Sequence, residues 1–285
     1  MGKLYVVPTP VGNLEDMTFR AIKVLKEVDL ILAEDTRTSG ILLKHFEIKN
    51  VMQSHHKFNE HKTVESVVNR IKAGETIALI SDAGTPGISD PGEELVKMAY
   101  EAGIEVTSLP GACACVTALT LSGLSTRRFV FEAFLPPDKK EHKLALERLK
   151  NETRTMIVYE APHHLLKTLR ELLETLGNRR LTLCRELTKK HETAWQTTIE
   201  DAITRYEQED PKGECVLVIE GRSQKEIEDE AKAAFEEISI EEHMKRYEDQ
   251  GIARKEAMKL VAKDRGVTKR DIYQYLLGKE SYNDF

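Results

Sequence analysis

The chain has 285 residues, 40% of them hydrophobic, enough for about two domains with cores of their own and a third, smaller one. Its 42 Lys and Arg stand against 48 Asp and Glu, a net charge of −6, so any surface for a polyanion has to be local. Four cysteines (Cys113, Cys115, Cys184, Cys215) without paired CxxC spacing argue against structural zinc or a disulfide framework and fit a reducing cytoplasm.

Leu4–Val7 reads as a buried strand, reached without a charged-then-apolar leader, and no apolar run approaches 18 residues; secretion and a membrane span are not expected. The strand ends in Pro8-Thr9-Pro10-Val11-Gly12-Asn13, a stiff turn or one wall of a ligand cleft. Thr18 is placed to cap a helix carrying Ala21, Val24, Leu25 and Val28 at helical spacing. Leu30–Ala33 is a second apolar strand, with Glu34-Asp35-Thr36-Arg37 directly beyond it. Ser54–His61 is polar and holds three His beside Glu60, but it lacks the helical spacing of a metal motif, and no metal is expected.

Val64–Ala73 is helical, and Ile77–Ile80 is a strand running into Ser81-Asp82-Ala83-Gly84-Thr85-Pro86-Gly87-Ile88-Ser89-Asp90-Pro91. Small residues at Ala83, Gly84 and Gly87 let a ligand approach the main chain, at the carboxyl edge where open α/β sheets bind ligands. The stretch is neither a Walker loop nor GxGxxG. Helix Glu93–Ala102, strand Glu105–Leu109 and a Pro110-Gly111 turn into another helix complete a βαβαβα pattern, with three loops at one sheet edge. After a break at Ser122–Arg128 come strand Phe129–Phe134, helix Lys139–Lys150, strand Thr155–Tyr159, helix His163–Leu176, and strands Leu181–Arg185, Trp195–Ile199 and Cys215–Ile219. Residues 222–242 carry 8 acidic and 3 basic side chains, a solvated helix or linker. Residues 243–279 reverse this, with 10 basic against 5 acidic. There Ala257, Leu260 and Val261 share a helical face, Arg265-Gly266-Val267 turns, and Thr268-x-x-Asp271 is a capping box before Ile272, Tyr275 and Leu276: helix-turn-helix spacing on a basic background.

The stretches LYVVPTPVGNLEDMTFRA, LILAEDTRTSG, LISDAGTPGISDPG, LPGACACVTALTLSGL, FEAFLP, VYEAPHHLLKTL, CRELTKKHE and KGECVLVIEG, in this order across residues 1–221, resemble the tetrapyrrole methylase superfamily. Within it they are similar to the bacterial subfamily that methylates the ribose 2′-oxygen of a cytidine in small-subunit (16S) ribosomal RNA. The resemblance implies an α/β fold with an N-terminal α/β domain (1–122), a C-terminal α/β domain (123–221), an acidic linker or helix (222–242) and a basic helix-turn-helix-like segment (243–285). It also implies S-adenosylmethionine bound between the α/β domains, ribosomal RNA or the assembled 30S subunit as substrate, and a homodimer. Carried over residue by residue, the cofactor contacts are Pro10, Val11, Ser81, Asp82, Thr85, Cys113, Ala114, Tyr159, Glu160 and Leu187, many of them through backbone atoms. One departure is Ala112-Cys113-Ala114, where relatives tend to carry Pro-Ser-Ala.

Methyl transfer to a hydroxyl needs an aligned acceptor and a group to take its proton. Asp35, His56 and Glu60 are candidate bases, and Arg37, which cannot give up its proton, is a phosphate or carboxylate clamp. Asp35 and Arg37 lead, standing at a strand end. Arg127, Arg128, Lys139, Lys140 and the basic C-terminal segment are candidate RNA contacts. Two other readings stay open: tetrapyrrole C-methylation on the same fold, and non-catalytic nucleic-acid binding.

Overall fold

The computed structural model describes residues 2–56 and 60–280 and divides into two compact units, Met1–Gly221 and Arg222–Phe285. In the first unit, β1 (Lys3–Val6), β2 (Leu30–Ala33), β3 (Met52–Ser54), β4 (Ile77–Ile80) and β5 (Glu105–Ser108) form a parallel sheet in the order β3-β2-β4-β1-β5. Every residue of β2 and β4 is buried, as continuous apolar strands are when helices cover both faces. One face packs under α1 (Phe19–Glu27) through Ala21, Val24 and Leu25, and the other under α3 (Glu60–Lys72) and α4 (Glu93–Glu101) through Val64, Val67, Ile71 and Leu95. Thr18 caps α1, its side chain accepting from the Ala21 N–H.

Two elements here escape the sequence pattern: α2 (Thr36–His45) and β3. In α2 only Ser39 and Leu43 are buried, so the helix leaves little apolar periodicity, and β3 is three half-buried residues. The strand order reverses around β1, which has β4 on one side and β5 on the other. This is the switch point where the loops leaving adjacent strands diverge and open a crevice.

The second sheet contains β6 (Phe129–Phe134), β7 (Thr155–Glu160), β8 (Arg180–Arg185), β9 (Thr193–Thr198) and β10 (Cys215–Ile219), in the order β6-β7-β10-β8-β9. Only β6 and β7 are parallel, joined by the crossover helix α6 (Lys139–Lys150). The β9 strand ends at Thr198, whose hydroxyl caps α8 (Ile199–Tyr206), a helix absent from the sequence reading.

Alternation along β10 sorts its residues. Cys215, Leu217 and Ile219 join the core beneath α6, α8 and α7 (Leu165–Leu176), while Val216 and Val218 face the other way, into a cluster with Cys115, Ala118 and Leu119 of α5 (Ala114–Leu121). The helix that leaves the first sheet is thus packed against the second, and this apolar layer joins the two lobes of the unit.

The second unit is helical: α9 (Gln224–Glu236), α10 (Ile240–Glu248), α11 (Arg254–Asp264) and α12 (Lys269–Glu280), around a small core of Met244, Ala257, Val261, Ala262 and Ile272. Gly266, at φ 65°, turns the chain between α11 and α12. Thr268 and Asp271 then exchange backbone-to-side-chain hydrogen bonds of 2.8 and 3.3 Å, a capping box with Asp in the place of Glu. Among the described residues no helix is long and apolar enough to cross a membrane.

Candidate active site

The loops leaving β1, β4 and β5 are tied to one another by hydrogen bonds that need small or hydroxylated residues. Thr9 and Gly84 exchange backbone bonds of 2.8 and 3.0 Å, an isolated antiparallel bridge across two loops. The Thr9 hydroxyl donates to the Ser81 carbonyl at 3.0 Å, and the Thr85 hydroxyl donates to the Ala112 carbonyl at 2.8 Å. Gly84 has φ 80°, so a side chain would be strained there. At Gly111 a Cβ would lie 2.5 Å from the Pro8 ring, so glycine is what lets the first and third loops touch.

Above these loops lies a cleft of about 650 Å³, measured out to its open mouth. Its walls come from both lobes: Val11, Ile88 and Cys113 from the first, Phe134, Tyr159 and Val216 from the second. The second-lobe wall depends on a β-bulge. Register slips between Phe131 and Ala133, and Ala133 takes φ 53°. Residues three apart on a regular strand face opposite sides; the extra residue instead lets Phe131 and Phe134 both meet the Tyr159 ring, edge-on at 5.0 and 5.6 Å.

Two carboxylates, Asp90 and Glu214, line the same cleft. Burial pushes the Asp90 carboxyl above the usual carboxylate range, opposed by a hydrogen bond from Ser81 and helped by the charges of Asp82 and Glu214. Glu34 and Asp82 are likewise raised, each mainly by burial, so the carboxyl edge of β2 and β4 concentrates partly desolvated acids. Burial also keeps Tyr159 a neutral phenol, its pKa pushed well up.

Residues 3–203 match the family model of the Tetrapyrrole (Corrin/Porphyrin) Methylases. The chain belongs to this family. A relative from Synechocystis sp., "Ribosomal RNA small subunit methyltransferase I", is 46% identical over 99% of both chains. One of the same name from Thermotoga maritima is 44% identical over the whole of its own length but only 78% of this chain. The fold is that of uroporphyrin-III C-methyltransferase from Thermus thermophilus, solved in complex with S-adenosylhomocysteine, at 19% identity and a TM-score of 0.54, covering 76% of this chain and 97% of that one.

Within this tetrapyrrole methylase fold, five of the ten cofactor positions expected from sequence line the cleft: Val11, Thr85, Cys113, Ala114 and Tyr159. Pro10 and Ser81 are buried beneath it, and the Ser81 hydroxyl lies 3.4 and 3.3 Å from the carbonyls of Ala83 and Gly84. Leu187 is buried among Cys184, Val216 and Val218, backing the Tyr159 wall. Asp82 faces β2 and accepts the Asp35 N–H at 3.1 Å. Glu160 turns away from the cleft: its carboxylate accepts the Ala161 N–H at 2.7 Å and the Thr168 hydroxyl at 2.5 Å, tying the end of β7 to α7.

The expected catalytic residues stand one and two strands away from the cleft. Asp35 caps α2 and holds Arg37 through both carboxylate oxygens, at 2.7 to 3.2 Å. The Arg37 side-chain hydrogen bonds bring its carboxyl down to about 2, which makes Asp35 a weak proton acceptor; its place in the fold is that of a cap. Arg37 points outward, 89% exposed. His56 follows β3 and acts electrostatically on Glu34, while its neighbour His55 is buried with Nδ1 3.0 Å from the Thr63 hydroxyl. Residues 57–59 lie outside the described residues, as does the side chain of Glu60.

Sequence reasoning passed over Asp90, Glu214 and Phe134. Asp90 reads as a turn former in Ser89-Asp90-Pro91, and only the folded loop shows it desolvated. Phe134 depends on a bulge that carries no sequence signal in a Phe-Glu-Ala-Phe run.

Proposed function

We propose that this protein transfers the methyl group of S-adenosylmethionine to the ribose 2′-oxygen of a cytidine in small-subunit ribosomal RNA. The observation that carries the reading is the cleft: apolar walls from two lobes over a floor of small residues and main chain, with two carboxylates at its edge. Such a site suits a flat adenine and a cationic sulfonium. Gly84, at φ 80°, is what lets the main chain form this floor beside Val11. The relatives matched along most of the chain carry the ribosomal RNA methyltransferase name, whereas the tetrapyrrole enzymes match as a fold, which favours RNA over a macrocycle.

Bound in the cleft, S-adenosylmethionine supplies a methyl group on a positively charged sulfur that leaves as a neutral thioether. The protein's part is alignment, desolvation and proton removal. Val11, Thr85, Ala114 and Tyr159 hold the donor, with Pro10, Ser81 and Leu187 shaping the wall behind them. Asp90, rather than Asp35, accepts the hydroxyl proton: it lines the cleft, and its raised pKa suits a base better than a carboxyl near 2. Arg37 stays a clamp for phosphate, presented at the same sheet edge.

RNA reaches beyond the cleft. Phe134, 51% exposed, also borders a groove between α6 and α7 lined by four lysines and four glutamates, and offers a base a stacking face there. The basic segment 243–279 adds affinity and not chemistry; the Thermotoga relative of the same name, matched over its whole length, covers only 78% of this chain. We further propose a homodimer, acting on the assembled subunit in the cytoplasm.

The test is transfer of labelled methyl from S-adenosylmethionine to 30S subunits, to naked small-subunit RNA and to uroporphyrinogen, with mass mapping of the modified nucleotide. A 2′-O-methylcytidine in RNA is expected; label on the macrocycle alone would reverse the reading.

A further inference from the structure

Cys113 and Cys115 stand at the first turn of α5, and the reaction proposed above uses no thiol. Cys113 is the residue before the helix. It lines the cleft, half-buried, with its Sγ 3.4 Å from the Cys115 Sγ. Cys115 is buried, 5% exposed.

The two sulfurs are unequal. The Cys115 thiol, and then the N–H groups of Val116 and Cys115 at the helix start, stabilise negative charge on Cys113 and lower its pKa. The same contact, with burial, pushes Cys115 up. The other two thiols, Cys184 and Cys215, are buried and raised to about 11 and about 12 by burial. An accessible nucleophilic sulfur thus sits in the cleft wall with a second thiol in contact behind it.

We propose that Cys113 is a site of oxidation by hydrogen peroxide, with Cys115 as the resolving thiol, and that the resulting disulfide closes the cleft to the methyl donor. The Cys113 thiolate attacks a peroxide oxygen: an S–O bond forms, the O–O bond breaks, and the departing hydroxide takes a proton to become water. The Cys115 sulfur then attacks the Cys113 sulfur of the sulfenic acid; S–S forms, S–O breaks, and a second water leaves with the Cys115 proton. Two thiols lose two electrons, and the peroxide is reduced to two waters. Drawing the sulfurs together pulls the loop after β5 towards the helix, and with it the Ala112 carbonyl that holds Thr85. Thiol reactivity stands on the exposure of Cys113 in the cleft and the 3.4 Å sulfur contact, supported by the lowered Cys113 pKa; the effect on the donor rests on the proposed function.

The experiment treats the full-length reduced chain with one equivalent of hydrogen peroxide at neutral pH. It follows peptide mass and S-adenosylhomocysteine affinity by calorimetry. The peptide holding both cysteines should lose two hydrogens, binding should weaken at least tenfold, and dithiothreitol should restore both. In Cys115→Ser, Cys113 should instead accumulate as a sulfenic acid trapped by dimedone. In Cys113→Ser, peroxide should change neither that peptide nor the variant's own affinity. With N-ethylmaleimide, Cys113 should label at least tenfold faster than Cys184 or Cys215. Oxidation mapped to Cys184 or Cys215, or a disulfide that leaves affinity unchanged, overturns the proposal. Reduced protein that never binds S-adenosylhomocysteine sinks the donor reading instead, and the mass result then stands by itself.

Discussion

Replacing Asp90 with Asn tests the catalytic reading most directly. The substitution keeps the shape of the side chain and an oxygen that still accepts from Ser81, but removes the proton acceptor from the cleft. A positioned base contributes about 10²–10⁴-fold, so turnover should fall by that factor, about 2.7–5.5 kcal/mol of barrier. Affinity for S-adenosylhomocysteine should stay within a few-fold, since its thioether is uncharged and the amide replaces the carboxyl at equal size. The pH profile carries an independent signature. Burial raises the Asp90 pKa, so the wild-type protein gains activity as pH rises through a value above the ordinary carboxylate range, and this acid limb should vanish in the variant. The assay is single-turnover transfer of labelled methyl to 30S subunits between pH 5 and 9, with S-adenosylhomocysteine calorimetry as the control. Turnover within tenfold of wild type, or an unchanged acid limb, would refute the assignment.

Thr85→Val removes the hydroxyl that ties the β4 and β5 loops; on the usual net value of a hydrogen bond, about 0.5–1.5 kcal/mol, S-adenosylhomocysteine binding should weaken about 2- to 10-fold by calorimetry. Deleting residues 243–285 should lower RNA affinity in filter binding and flatten its salt dependence, with calorimetric donor affinity unchanged. In the C-terminal unit, burial and then Arg265 lower the pKa of His243, which stacks on Phe235 at 4.2 Å and lies 3.2 Å from Asp264. The unfolded chain therefore binds the proton more readily than the folded one. The unit's stability should be full above about pH 6.5 and decline as pH falls from there through the depressed folded value, and His243→Gln should remove that slope in thermal melts.

Much of the fold is written in local pattern. Strands Leu30–Ala33, Ile77–Ile80, Phe129–Phe134 and Cys215–Ile219 and helix Lys139–Lys150 fall where apolar runs, periodicity and caps place them, because burial on one or two faces imposes a residue pattern that needs no knowledge of the partner. The weakly amphipathic α2 and the short β3 left no such trace, having few buried positions to record, whereas α8 buries Ile199, Ala202, Ile203 and Tyr206 at helical spacing behind the Thr198 cap, a pattern present in the sequence and passed over. The motif loops were legible too: prolines, glycines and small residues after three strands mark close backbone approach whatever the loop's final course, and four of the residues named from them, Val11, Thr85, Cys113 and Ala114, meet in the cleft.

What the chain could not announce is which groups share a space. The strand order β4-β1-β5 brings Thr9 to Gly84 and Thr85 to Ala112, contacts between residues 75 and 27 positions apart that depend on sheet neighbours alone. Carboxylates differ little in sequence, yet packing gave them opposite chemistries. Asp35 has a guanidinium in its grip and stays ionised, whereas Asp90 lost water without gaining a cation. Protonation depends on the surrounding dielectric and the nearest charges, and both are properties of assembled neighbours.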